Sequence, residues 1–197
     1  MKIKQFLMTG LALLALTACS EKSDAVDEYG DWKNKNEKYF ESAYNANDYD
    51  SAIKKYSYSK VDSPTSTDFI LVDELEQGDE SLPTPYLTDS VRIHYVGHLI
   101  PSPSYPEGYQ FDQSYLEPFT EATAVPSKFA VNAVVPGFTT ALLNMHPGDY
   151  WRVTIPYQLG YGATASGSVP AYSTLIFEIK LVEFWSKKRG DRYKITH

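Results

Sequence analysis

The clearest pattern of hydrophobic and polar positions lies in residues 129–162. A β-strand is predicted in its second half, where large apolar residues occupy every second position: Trp151, Val153 and Ile155. A short helix is predicted before it, where apolar residues recur at the spacing of one helical face: Phe138, Ala141, Leu142 and Met145. The Pro-Gly pairs at 136–137 and 147–148 bound this helix.

Further apolar runs predict strands at residues 69–72, 91–95 and 174–184. The segments between them are rich in proline, glycine and polar residues, which indicates loops at 77–88, 97–111 and 115–126. One short helix among several strands indicates an α+β fold, because an antiparallel β-sheet must wrap the helix to bury its apolar face. We therefore expect Phe138, at the start of the helix, to form the floor of a pocket at the open end of the sheet.

Residues 1–18 are typical of a secretory signal peptide, because Lys2 and Lys4 precede an apolar run that is too short to span a bilayer comfortably. The sequence Leu-Thr-Ala-Cys at 16–19 resembles a bacterial lipobox, in which the cysteine is lipidated. Cys19 is the only cysteine, so we predict a lipid anchor there and a tether at 19–25. The predicted location is the envelope of a Gram-negative bacterium, on the periplasmic or surface side of the outer membrane. The alternative is an ordinary signal peptide with a chance cysteine.

Residues 26–60 are predicted to form a helical extension and a linker, with the helix at 26–47. Five of its residues fall near one face: Trp32, Asn36, Tyr39, Phe40 and Ala43. Two interpretations follow from this face. In the first, the face packs on the domain that follows the helix. In the second, the helix forms a dimer or holds a client protein.

The chain has 197 residues and a formal charge of −7. This acidic balance argues against nucleic-acid binding, which requires cationic surface for the phosphates. The sequence contains no G-x-S-x-G, C-x-x-C or P-loop motif. His94 and His98 are four residues apart, but Gly97 and the strand pattern around them disfavour a metal pair. We therefore predict neither a metal nor a cofactor.

Aromatic residues stand out in three short segments that lie far apart: His94-Tyr95-Val96-Gly97, Phe111-Asp112-Gln113-Ser114 and Gly160-Tyr161-Gly162. A later run completes the series: Val169-Pro170, then Thr174-Leu175-Ile176-Phe177-Glu178. In this order the segments resemble the FKBP-type peptidyl-prolyl isomerase family over residues 67–185. The basic residues within 186–197 are interpreted as a solvated tail.

The resemblance implies an antiparallel sheet half-wrapped around one short helix, with an apolar pocket between them. Carried over by position, it assigns catalytic roles to Tyr95, Asp112 and Tyr161. The Tyr161 hydroxyl would donate to a substrate carbonyl, and the Tyr95 hydroxyl would bond Asp112. Substrate binding, including a backbone N–H donated by Val135, is assigned to six further residues: Phe111, Val134, Val135, Phe138, Val169 and Phe177.

The same resemblance implies a peptidyl-prolyl cis-trans isomerase that assists the folding of exported proteins at the cell envelope. Its partners would be proline-containing client proteins, and macrolides would be its inhibitors. X-Pro bonds exchange in about tens to hundreds of seconds unaided. Because the twisted amide is less polar than the planar one, an apolar pocket favours it by differential binding and needs no cofactor.

Departures from the family pattern leave other functions open. An arginine of the family has no counterpart and Glu117 lies near its place, an aromatic position falls near Ser127, and Phe138 stands where tryptophan is common. The alternative is a non-catalytic FKBP-like lipoprotein that binds clients or partners as a chaperone or assembly module. A third hypothesis, an aromatic groove for a ligand such as a glycan, rests on the abundance of tyrosine, 16 residues in all.

Overall fold

We describe a computed structural model of the chain. It describes residues 26–46, 53–60, 62–116, 119–120, 123–186 and 190–194. The predicted signal peptide, Cys19, the tether and Glu117 lie outside the described residues.

One antiparallel sheet of eight strands forms the body of the protein. Six strands follow one another in the order β1-β2-β6-β7-β3-β4, while β5 also pairs with β3 and β8 with β7. The predicted α+β fold is therefore confirmed. The strands are β1 (Lys54–Ser57), β2 (Phe69–Glu76), β3 (Ser90–His98), β4 (Gln110–Gln113), β5 (Ser127–Ala130), β6 (Tyr150–Ile155), β7 (Leu175–Ser186) and β8 (Asp191–Lys194).

Strand β3 carries two partners along the same edge. Its first half pairs with β5, with Ser90 opposite Ala130 and Ile93 opposite Ser127. Its second half pairs with β4, where Gly97 lies opposite Asp112. The chain thus leaves this edge after β4 and returns to it at β5.

The helix α2 (Pro136–Asn144) lies against the sheet, as the periodicity predicts. Pro136 occupies its first turn, where a missing backbone N–H costs nothing and the fixed φ suits a helix. Gly137 is buried, and a Cβ built on it would lie 2.3 Å from Cγ2 of Ile155 on β6. Glycine therefore allows the start of the helix to lie close to the sheet, which brings the next residue, Phe138, into the core.

The N-terminal helix α1 (Trp32–Asn45) packs on the domain, as the first of the two interpretations expects. Its buried side chains are Trp32, Asn36 and Phe40, at the i, i+4, i+8 spacing of one face. The predicted start at residue 26 is too early, because residues 28–31 form a turn. Neither helix in the described part of the chain is long and apolar enough to cross a membrane.

Two short strands lie in segments that the sequence interpretation leaves outside the domain. Strand β1 pairs with β2, within the predicted linker at 26–60. Strand β8 pairs with β7, so residues 191–194 of the predicted tail belong to the sheet, although three of the four are exposed as predicted. Strand β8 is held on the sheet by two side chains. Arg192 binds the buried carboxylate of Glu183, and the ring of Tyr193 stacks on Phe184 at 4.8 Å.

Candidate functional site

A cavity of about 230 Å³ opens between the start of α2 and the sheet. Most of its lining is apolar, and the polar groups come from two tyrosines and one carboxylate. The lining residues are Tyr95, Asp112, Phe129, Ala133, Val134, Val135, Phe138, Tyr161 and Phe177. Seven of the nine predicted catalytic and binding residues are thus brought together.

Three buried rings form the inner wall of the cavity. Phe138 from α2 meets Phe177 from β7 edge to face, with 5.0 Å between ring centroids. Tyr95 from β3 meets Phe138 in the same manner at 6.2 Å. Edge-to-face contacts of this kind are favourable beyond the area they bury. The apolar wall is therefore fixed by its own packing before any ligand enters.

Gly97 makes room for the rings on the sheet. A Cβ built there would lie 2.6 Å from the Phe177 ring and 2.7 Å from the Phe111 ring. Phe111 is not among the residues that line the cavity and packs edge-on against Phe177 at 5.4 Å. Phe111 therefore supports Phe177, which lines the cavity.

The Tyr95 hydroxyl donates a hydrogen bond to Oδ2 of Asp112 across the pair of strands β3 and β4, at 3.0 Å. Burial of the ring and then the neighbouring Asp112 carboxylate raise the pKa of Tyr95 above its usual range. Oδ1 of Asp112 accepts from the backbone N–H of Gln113 at 2.9 Å. The Tyr95 hydroxyl therefore stays protonated at neutral pH, and the two hydrogen bonds fix the exposed carboxylate of Asp112 at the rim of the cavity.

Two hydrogen-bond donors at the cavity are available to a ligand. The Tyr161 side chain is 41% exposed, and its hydroxyl has no acceptor among the described residues. The backbone N–H of Val135, just before α2, likewise has no acceptor in the part of the chain that the structure describes. A carbonyl group entering this apolar cavity would find a donor in either group.

Phe129 and Ala133 also line the cavity, and neither is predicted as a site residue from the sequence. The Phe129 ring meets Tyr95 edge-on at 5.7 Å. The alternation of β5 could have found it, because Phe129 lies two positions after Ser127 and so on the same face. Phe129 thus supplies an aromatic ring on the strand where Ser127 departs from the family pattern.

Val169 is the second predicted binding residue that does not line the cavity. It is buried in the hydrophobic core and does not line the cavity. The backbone of Ser166 and Val169 exchanges two hydrogen bonds of 2.9 Å, which closes a tight turn beside Tyr161. Its side chain therefore anchors the loop.

The fold and site together define an α+β protein of FKBP-like architecture. Residues 83–182, just over half of the chain, match the family model of the FKBP-type peptidyl-prolyl cis-trans isomerase. The chain belongs to this family.

Individual relatives agree with this assignment. The chain is 41% identical over 110 residues to the FKBP-type 22 kDa peptidyl-prolyl cis-trans isomerase of Escherichia coli (strain K12), covering 55% of this chain and 47% of that protein. It is 36% identical over 107 residues to the macrophage infectivity potentiator of Trypanosoma cruzi, covering 54% and 48%. The chain thus spans about half the length of the curated relatives it matches.

Solved structures give the same fold. A peptidyl-prolyl cis-trans isomerase from Pseudomonas syringae pv. tomato str. DC3000 aligns with a TM-score of 0.57 at 29% identity, over 81% of this chain and 98% of that one. FkpA from Escherichia coli aligns with a TM-score of 0.58 at 26% identity, over 79% and 60%.

Proposed function

We propose that this protein is a peptidyl-prolyl cis-trans isomerase that acts on proline-containing client proteins. The observation that carries the proposal is the aromatic cavity whose two donors, the Tyr161 hydroxyl and the Val135 N–H, have no acceptor among the described residues. Rotation about a peptide bond has a barrier of about 18–20 kcal/mol because the amide is conjugated. A site that stabilises the twisted amide lowers that barrier without covalent chemistry.

In this mechanism the prolyl ring occupies the apolar cavity against Phe138 and Phe177. The Tyr161 hydroxyl and the Val135 N–H hold carbonyl oxygens of the peptide, which fixes the chain on either side of the rotating bond. The twisted amide has lost conjugation and is less polar than the planar ground state, so the apolar wall binds it more tightly. Asp112, fixed by Tyr95, completes the polar edge of the site.

The remaining predicted residues have supporting roles in this proposal. Phe111 packs behind Phe177, Val134 lines the entrance, and Val169 anchors the loop that carries Tyr161. Macrolides would compete with the peptide for the same apolar cavity.

We also propose that the protein works at the cell envelope on exported proteins, held there by a lipid on Cys19. The proposal rests on the signal-like residues 1–18 and on the lipobox at 16–19. Cys19→Ala is expected to move the protein from the membrane fraction to the soluble fraction. Retention of Cys19→Ala in the membrane fraction would exclude this anchor.

Isomerisation of a short peptide with an X-Pro bond tests the enzymatic proposal, with the full chain purified in mild detergent. Tyr161→Phe and Asp112→Ala should each lower kcat/KM about three- to tenfold, the worth of one hydrogen bond. Tyr105→Phe is a matched control, because Tyr105 is 40% exposed and lies outside the cavity.

The outcomes separate the enzyme from the binding module. Acceleration by the wild type that weakens in both site variants, but not in Tyr105→Phe, supports the isomerase. Binding of proline peptides without acceleration would replace it with a non-catalytic client-binding protein.

A further inference from the structure

Tyr161 is carried by the long connection between β6 and β7, residues 156–174, which we call the Tyr161 loop. One face of α1 contacts both ends of this loop. At the beginning, the Tyr157 hydroxyl donates a hydrogen bond to Oε1 of Glu37 at 3.1 Å. At the end, Ser173 and Thr174 bind the buried part of the same face.

Asn36 makes the most buried of these contacts, with a side chain that is fully excluded from solvent. Its Oδ1 accepts the backbone N–H of Thr174 at 2.7 Å, while its Nδ2 donates to the carbonyl of Trp32 at 2.7 Å. A buried amide of this kind costs free energy unless its groups are paired. Asn36 is paired on both sides, so it fixes α1 and the end of the loop relative to each other.

Trp32 adds a second connection from the same helix face. Its Nε1 donates to Oγ of Ser173 at 2.8 Å, and that hydroxyl donates onward to the carbonyl of Pro170 at 2.7 Å. The chain of bonds therefore reaches from α1 into the interior of the Tyr161 loop.

The loop relays these contacts to the neighbour of Tyr161. Tyr172 has a φ of +63°, which is uncommon for a residue with a Cβ and persists only with support from its surroundings. Its backbone N–H donates to the carbonyl of Gly162 at 2.9 Å, and the Gly162 N–H donates to the carbonyl of Tyr157 at 2.8 Å. Lys33 of α1 lies over the Tyr172 ring at 5.3 Å. Gly162, directly after Tyr161, is thus tied to two residues that α1 contacts.

We propose that Asn36 and Trp32 are positioning residues that hold the Tyr161 hydroxyl at the rim of the cavity. This inference rests on the proposed isomerase function, because it gives α1 a role in the geometry of that site. Neither side chain lines the cavity, so each acts through the loop. The N-terminal helix is then part of the working domain and not a spacer.

A double-mutant cycle in the full chain tests the proposal. Asn36→Ala should lower kcat/KM on an X-Pro peptide, but by no more than the about three- to tenfold loss expected for Tyr161→Phe, because it acts by displacing the same hydroxyl. In a Tyr161→Phe background the same substitution should cause little further loss, because the group that it displaces is already gone. Trp32→Phe keeps an aromatic ring but removes the indole N–H with the pyrrole part of the side chain, and should give a smaller loss with the same dependence on Tyr161.

Hydrogen exchange gives a readout that does not depend on activity. The backbone amides of Gly162 and Tyr172 should exchange faster in Asn36→Ala than in the wild type. The matched control is Tyr44→Ala, at the other end of α1, where the ring packs on Phe40 and Phe69. Tyr44→Ala should destabilise the helix without changing kcat/KM or the exchange of the two loop amides.

Three results would overturn the proposal. The first is that Asn36→Ala lowers kcat/KM equally with and without the Tyr161 hydroxyl. The second is unchanged hydrogen exchange at Gly162 and Tyr172, and the third is a loss of activity in Tyr44→Ala as large as in Asn36→Ala. If Asn36→Ala does not fold, Trp32→Phe decides by the same criteria. A wild type without isomerase activity would refute the proposed function instead, and the exchange measurement would then decide alone whether α1 orders the loop.

Discussion

At the scale of single residues, two tyrosines of the cavity differ in what surrounds their hydroxyls. Tyr95 is 8% exposed and already donates to Asp112, whereas Tyr161 is 41% exposed and unpaired in the described part of the chain. The motifs in the sequence identify both as site residues. The family resemblance already implies different roles for the two hydroxyls, and the structure adds the geometry: it gives the Tyr95 hydroxyl a partner in Asp112 and leaves the Tyr161 hydroxyl without one among the described residues.

Gly97→Ala should disturb the cavity from behind. The added methyl group would overlap the Phe177 and Phe111 rings, and overpacking of this kind costs about 1–3 kcal/mol of unfolding free energy. We expect a lower midpoint in urea denaturation, together with slower isomerisation, because Phe177 must shift.

Gly30→Ala serves as the control for this substitution. A Cβ at Gly30 would meet the end of the exposed Asp27 side chain, which can turn away. If Gly97→Ala were as stable and active as Gly30→Ala, the close packing around Gly97 would not matter to the site.

Phe129 shows why a motif does not fix every residue of a site. The family pattern places an aromatic near Ser127, where this chain carries no ring. Residues 127 and 129 share a face of β5, so the cavity can draw its ring from either position. Which position is used depends on how close the strand runs to Tyr95, and the sequence does not contain that distance.

At the scale of elements, strongly periodic segments were predictable and short polar ones were not. Strand β6 and helix α2 each show one repeating pattern and were predicted close to their observed bounds. Strands β1 and β8 have four residues each and expose most of them. They are strands because β2 and β7 offer free edges to pair with, which is a tertiary effect that local sequence does not record.

The outer face of strands β6 and β7 carries a pH-dependent contact. Burial disfavours the charged form of Glu178, but hydrogen bonds from Tyr150 and Arg152 and the charge of Arg152 outweigh it, so the pKa of Glu178 is lowered. A lowered pKa in the folded state stabilises the protein above the unfolded value of about 4.3, and this contribution is lost as pH falls through the folded pKa.

Tyr150→Phe should remove part of this contribution. We expect a loss of about 1 kcal/mol of unfolding free energy at pH 7, shrinking as the pH falls through the lowered folded pKa of Glu178, because the carboxylate then becomes protonated in both proteins. Urea denaturation between pH 7 and pH 3 measures it. Tyr58→Phe, on an exposed ring, is the control and should show no such pH dependence. If the difference in unfolding free energy between wild type and Tyr150→Phe stayed constant across the pH range, the contribution of Tyr150 would not depend on the ionisation of Glu178, and the prediction would be wrong.

At the scale of the whole molecule, α1 and the sheet share one buried core. Trp32 of α1 is 6% exposed and belongs to the same apolar cluster as Trp151 of β6. The sequence predicted the fold class and the family because its motifs are local and ordered along the chain. It left the role of α1 open, because packing and dimerisation require the same amphipathic face.

The shared core predicts that α1 unfolds together with the domain. In a chain with Trp151→Phe and Trp185→Phe, Trp32 is the only tryptophan, so its fluorescence reports on α1. Its urea transition should coincide with the loss of far-ultraviolet circular dichroism, as expected for a two-state domain. A Trp32 transition at lower urea than the rest would mean that α1 detaches first and is not an integral part of the fold.

The two partners of β3 have a consequence for how this protein tolerates change over evolution. Phe111 and Asp112 are held by one half of β3, and Phe129 is held by the other half, each through its own backbone pairing. Ser114 is still bound to the Tyr95 backbone of β3, and Tyr115 and Phe119 pack on the His94 ring. The segment between Phe119 and Ser127 can therefore grow or shrink without altering either register. Doubling the length of such a segment adds only about 0.6 kcal/mol of closure entropy. Relatives of this protein should accordingly accommodate insertions and deletions between β4 and β5 while the aromatic wall stays the same.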